Sequence, residues 1–182
     1  MSSDKLKHLG GHANITHIDM ATLKFAKEHL LVSSMLDVGC GPGGQLQIAN
    51  ELGIEAIGID GFPGHNRVEG VDIIIHDFCK GAYTKHKPRD LAWSCEFLEH
   101  VESKYIPNYM ESFKSCDKVI TTFAPRGTHG HHHVNCKDEE YWINVFEKHG
   151  FKYVPAITNK IRSLSSMKRD FIRKTGLYFE KL

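Results

Sequence analysis

The sequence predicts an α/β fold, a mostly parallel sheet with helices on both faces. Three observations predict it. Short apolar runs alternate with stretches of helical periodicity, a glycine cluster follows the first run directly, and polar residues collect where the runs end. In such sheets ligands bind beyond the carboxyl ends of the strands, so those ends are where function is sought.

In chain order, Thr16 to Leu31 reads as an amphipathic helix, with Ile18, Leu23, Ala26 and Leu30 roughly on one face. Met35 to Val38 is the first strand, and Gln45 to Leu52 a helix with Gly53 placed to end it. Ala56 to Ile59, Ile73 to Ile75 and Leu91 to Cys95 are the next strands. They end at Asp60, at His76-Asp77 and at Glu96. A helix runs through Tyr105 to Ser115, then a strand at Lys118 to Thr122 and a helix at Asp138 to His149. Phe151 to Val154 and Leu177 to Phe179 are late strands flanking a basic helix, about Asn159 to Lys174. No repeat or linker divides the chain, so residues 1–182 read as one domain, with 1–32 as an N-terminal arm and helix.

The chain has 182 residues, 41% hydrophobic and 25% charged, ordinary for a globular domain with its own core. Lys+Arg 23 against Asp+Glu 22 leaves a formal charge of +1, so net charge gives nucleic acid no support as a partner. No apolar stretch is long enough to span a bilayer, and the opening MSSDKLKHLGGH has no signal-peptide core. Five widely spaced cysteines without a C-x-x-C pair argue against a disulfide framework or zinc ribbon, and a reducing cytoplasm is the expected setting. The 13 histidines are the compositional oddity.

The strongest motif is LDVGCGPGG, Leu36 to Gly44. Glycines at a strand-to-helix turn let the backbone approach a ligand that a Cβ would exclude. Asp60, ending the next strand, can accept both hydroxyls of a ribose. Gly39, Gly41 and Gly44 also satisfy G-x-G-x-x-G, so a nicotinamide-dependent oxidoreductase is an alternative. Against it, Asp37 would repel a pyrophosphate but suit an ammonium, and Pro42 removes an amide from the turn. A zwitterionic nucleoside without phosphates fits better. A purely structural glycine turn is the bland reading, weakened by Asp37 before it and Asp60 after it.

LDVGCGPGG followed by AIGID resembles the first two motifs of class I S-adenosylmethionine-dependent methyltransferases, over most of the chain from about Met35. The resemblance implies a Rossmann-like sheet of seven strands, order 3-2-1-4-5-7-6, with the last strand antiparallel. It implies S-adenosylmethionine as cofactor. Asp37 and the loop Gly39, Cys40, Gly41 and Gly43 would hold its methionine part, and Asp60, with Gly61 and Phe62, its ribose. Asp77 and Phe78 would face the adenine, while Cys95 and Glu96 line the far side. A non-catalytic cofactor-binding relative of the same fold is a further alternative, opposed by the polar residues that follow.

Glu96, Glu99 and His100, on a helical turn, would share one face. Two carboxylates and an imidazole suit a divalent cation such as Mg or Mn with open positions. A further ligand could come from Thr128 to His133, in the loop after the fifth strand. The pattern resembles the E-x-x-E-H plus distal His of the small-RNA 3′-terminal 2′-O-methyltransferases, and the E-x-x-E-H of the ubiquinone-pathway O-methyltransferases. Matching Tyr141 and Trp142 to the former's aromatic helix implies a metal set of Glu96, Glu99, His100 and His132, with His133 as second choice. The same string also serves methyltransferases as a plain cofactor wall, and both readings stand. His132, His133 or His100 is the candidate catalytic base, since imidazole titrates near neutrality.

Gly10 to His17 reads as a lid over the cofactor or as a plain arm in which Thr16 caps the first helix. His8, His29, His65, His86 and His149 read as surface residues. The basic stripe Lys160, Arg162, Lys168, Arg169, Arg173, Lys174 and Lys181 could contact phosphates, or be a solvated face over Ile161, Leu164, Met167, Phe171 and Ile172. The expected reaction is methyl transfer to a hydroxyl oxygen. With no substrate domain, the acceptor is a small molecule or a chain terminus.

Overall fold

A computed structural model describes residues 8–9, 14–64 and 66–182. Seven strands form one sheet: β1 (Ser34–Val38), β2 (Glu55–Asp60), β3 (Asp72–Ile75), β4 (Arg89–Ser94), β5 (Cys116–Thr121), β6 (Phe151–Tyr153) and β7 (Leu177–Lys181). Their order is β3-β2-β1-β4-β5-β7-β6, with β7 antiparallel to both β5 and β6. The expected topology is thus the observed one. The helices are α1 (Met20–His29), α2 (Gly44–Glu51), α3 (Ile106–Phe113), α4 (Glu139–Lys148), α5 (Pro155–Leu164) and α6 (Phe171–Thr175).

Alternation along the strands divides the core in two. Leu36 and Val38 of β1, Ala92 of β4 and Val119 of β5 pack with Tyr109, Phe113, Trp142 and Phe146 of α3 and α4. Met35, Leu91, Trp93 and Ile120 pack on the other face with Leu23 of α1, Leu46 of α2, Ile161 of α5 and Ile172 of α6. In the parallel registers Val38 pairs with Ile59, Asp60 with Ile75 and Ser94 with Thr121. All five parallel strands therefore end at one edge.

Two expectations need correction. The first helix begins at Met20, and its cap is Asp19, whose side chain accepts from Thr22 N. Thr16 instead accepts from Gly44 N at 3.1 Å, tying the incoming arm to α2, and Ile18 is left exposed. The basic helix is not continuous: α5 stops at Leu164 and α6 starts at Phe171. Asp19 causes the break. Its buried carboxylate accepts from Ser165 Oγ and from Ser166 N, the latter at 3.1 Å, and Ser165 is held extended at ψ 127. That satisfied network replaces the helical bonds of the next turn.

Candidate active site

The glycine loop leaves β1 with Gly39 at φ 80, where an added Cβ would lie 2.6 Å from the Phe97 ring. Glycine is required there for both space and conformation. Asp60 organises the loop: one carboxylate oxygen accepts from Gly41 N at 2.9 Å, the other from Phe62 N at 2.8 Å. Asp37 lies beneath it, and burial, then the Asp60 charge, push its carboxyl well above the usual range. Asp77 caps the turn after β3, accepting from Cys79 N at 2.9 Å and pairing with His8 at 3.0 Å and Lys80 at 3.2 Å. Burial raises this carboxyl, but those partners outweigh it and hold it below its ordinary value.

Above these groups is a cavity of about 500 Å³, a size that suits a nucleoside cofactor. Of the expected cofactor residues, Gly39, Cys40, Gly41, Asp60, Gly61, Asp77, Phe78, Cys95 and Glu96 line it. Asp37, Gly43 and Phe62 do not. Gly43 is the N-cap of α2 at φ 92, packed under Val71 and Ile73, so its part is to shape the turn. Ile15 and His17, from the segment expected as a lid, line the cavity; so do His8 and Leu9, which sequence reasoning missed, and Leu9 packs directly on Gly61. His8 is therefore not a surface residue; it sits on the Asp77 oxygen. Gly10 to Ala13, the first half of the lid segment, and His65 lie outside the described residues. His29 is exposed, as expected, whereas His86 and His149 are half-buried.

The neighbouring edge, after β4 and β5, has a different chemistry. Glu96 adopts φ 56, and its N–H donates to Thr122 Oγ1 at 2.9 Å. Only Leu98–His100 form a helical turn, so the single face expected for Glu96, Glu99 and His100 is not built. Glu99 is fully buried, and its carboxyl group shares a hydrogen bond with the Glu96 carboxyl but has no other partner among the described residues; His100 Nδ1 has none there. The carbonyl of Glu99 accepts from Val134 N at 2.9 Å and Asn135 N at 3.0 Å, which draws the histidine loop over it. Gly130 leaves room for the His133 ring, and the His100 and His133 rings meet edge to face at 5.0 Å.

One ligand atom each from Glu99, His100 and His133 lies within 4.8 Å of the others. Of the two histidines named for the distal position, the second choice, His133, is the one brought to Glu99 and His100. His132, at φ 50, turns away to meet the His8 ring at 6.4 Å and does not line the cavity. Burial sets the charge states of the cluster. It lifts Glu96 to about 7 and Glu99 well above the usual range, the latter aided by the Glu96 charge. His100 is pushed down to about 4, by burial and then by His133. His8, Asp77 and Cys79 form a second trio with metal-ligand spacing, but Lys80 already places an ammonium on that carboxylate.

A strand-end cavity for a nucleoside, walled by a glycine turn and a ribose-type aspartate, defines a class of protein. Residues 12–156 match a family model described as a methyltransferase domain, and the chain belongs to that family. No curated protein matches the sequence. Among solved structures, the chain is similar to magnesium protoporphyrin IX methyltransferase from Synechocystis PCC 6803 with bound SAM. The TM-score is 0.59 and the identity 14%, over 90% of this chain and 76% of that one. It is also similar to the sugar N-methyltransferase KedS8 from Streptoalloteichus sp ATCC 53650, with TM-score 0.65 and 10% identity over 88% and 85% of the chains. A third similarity is to the methyltransferase domain of bacterial-CtHen1-C, with TM-score 0.56 and 16% identity over 74% and 86%. The fold is that of class I methyltransferases, and the activity is S-adenosylmethionine-dependent methyl transfer. No helix among the described residues is long and apolar enough to cross a membrane.

Proposed function

We propose that this enzyme methylates a hydroxyl oxygen of a small-molecule or chain-terminal acceptor, assisted by a divalent cation at Glu99, His100 and His133. One observation carries the proposal: a fully buried Glu99 carboxyl group that meets the Glu96 carboxyl and no other hydrogen-bond partner among the described residues, beside two imidazoles, at the rim of the cofactor cavity. Two adjoining buried carboxyl groups cannot both be ionised cheaply unless a shared proton or a cation compensates them. The donor set is hard oxygen plus imidazole, which suits Mg or Mn. Such an ion, when bound, acidifies a hydroxyl and holds it in place.

The chain's own residues do the rest. The Asp60-bound glycine loop fixes the cofactor, and the arm with His8 and Leu9 shields it from water. The acceptor oxygen attacks the methyl carbon in line, the carbon–sulfur bond breaks, and S-adenosylhomocysteine leaves with the electron pair on sulfur. The hydroxyl proton passes to Glu96, which lines the cavity.

Two measurements on one sample test this. Metal titration calorimetry should show one magnesium or manganese site, and EDTA should leave S-adenosylhomocysteine binding nearly intact. The cofactor-wall reading expects no metal heat, and loss of cofactor affinity in Glu96→Ala.

A further inference from the structure

A second cleft, of about 660 Å³, opens beside the cofactor cavity, and Glu96, Thr128, Arg169 and Phe171 line both. One wall is apolar, Phe123 to Pro125 after β5; the other is the bend between α5 and α6, with Lys168 and Arg169, continued by Lys174 of α6. The charges on that bend are unequally satisfied. Asp170 accepts from Arg173 Nε at 2.8 Å and lies 3.3 Å from Lys174 Nζ, so it is neutralised from its own helix. Lys168 and Arg169 are exposed and have no carboxylate partner among the described residues. The Arg169 charge is felt across the cavity at His17, where it adds to the lowering that burial causes.

From this arrangement we propose that the cleft binds the acceptor through a phosphate group. The phosphate lies against Lys168 and Arg169, and the hydroxyl to be methylated lies at the Glu96 end. This rests on the proposed function above and names its substrate class. A dianion matches two adjacent uncompensated cations better than a single carboxylate does, and a guanidinium binds phosphate through two parallel hydrogen bonds. The apolar wall suits the sugar or carbon skeleton between the two groups. Because α5 and α6 are separated by the Asp19-bound bend rather than joined, both cations are presented at the mouth of the cleft instead of along a helix flank.

Phosphorylated sugars and nucleotide chain ends share this chemistry, so the test has an arm for each. Protein saturated with S-adenosylhomocysteine is titrated with inorganic pyrophosphate by calorimetry at low salt. The wild type should bind one equivalent. Lys168→Ala and Arg169→Ala should each weaken it about ten-fold, and Lys168→Glu more, while Lys148→Ala on α4 leaves it unchanged. Ribose 5-phosphate and a short oligoribonucleotide then compete for the bound pyrophosphate, with ribose as the control. Displacement by the first assigns a small acceptor, by the second a chain end. Absence of pyrophosphate binding, or equal binding by wild type and both alanine variants, overturns the proposal. Failure to bind S-adenosylhomocysteine at the outset would instead contradict the methyltransferase reading itself.

Discussion

The two halves of the sheet edge solve opposite electrostatic problems. Beyond β1, β2 and β3, acidic side chains are bonded to the backbone: Asp60 holds Gly41 and Phe62, and Asp77 holds Cys79. Beyond β4 and β5, no backbone amide bonds the buried Glu99 carboxyl, which meets only the Glu96 carboxyl, and His100 Nδ1 has no partner among the described residues. The first half is a finished cradle whose ligand needs only to fit. In the second, the proposed cation would compensate the buried carboxyl pair. Binding and chemistry are thereby separated by position along the edge, and substitutions should separate them too.

The largest effect is expected from Glu99→Gln, which removes a charged ligand without changing shape. Metal affinity should fall by about 100-fold or more, with S-adenosylhomocysteine affinity within about two-fold of wild type. A parallel loss of both would erase the distinction between the halves. Asp60→Ala should do the converse, lowering S-adenosylmethionine affinity about ten-fold or more by calorimetry while metal binding persists. That variant loses the two loop hydrogen bonds together with the proposed ribose acceptor.

Gly39→Ala tests the contact between the halves, since the Cβ would meet Phe97, the residue after Glu96. Strain at φ 80 and overpacking should cost about 1–3 kcal/mol, read as a lowered denaturation midpoint. The smallest effect concerns pH. The Asp77 carboxyl is held below its ordinary value, so its stabilisation is present above the unfolded-state value near 3.8 and is lost as pH falls through the folded-state value. Thermal melts should therefore show wild type more stable than Asp77→Asn near neutrality, by on the order of 1 kcal/mol. The gap should close in acid. A gap constant down to the lowest pH would mean that the carboxylate charge contributes nothing.

The cofactor half was readable from the chain because its signals are local. Gly39, Asp60 and Asp77 each sit within a few residues of a strand end, and strand alternation places the ends together. The acceptor half depends on loop geometry that no periodicity encodes. The left-handed Glu96 breaks the helical spacing on which the shared face was argued. The choice of His133 over His132 is made by the Val134 and Asn135 amides bonding the Glu99 carbonyl, a contact between segments far apart in sequence. His8 was hidden for the same reason, its partner Asp77 being 69 residues away. Asp19 carried a signal that could have been found, an acidic side chain one residue before the helix. Its second partners, Ser165 and Ser166, could not have been.

The central claim, a cation held by Glu99, His100 and His133, is tested most directly by manganese binding followed by electron paramagnetic resonance. Wild type, His133→Ala and His132→Ala would be compared, each with S-adenosylhomocysteine bound. The account expects one manganese site in wild type, retained in His132→Ala and weakened at least about ten-fold in His133→Ala. No bound manganese in wild type, or equal affinity in His133→Ala, would contradict it.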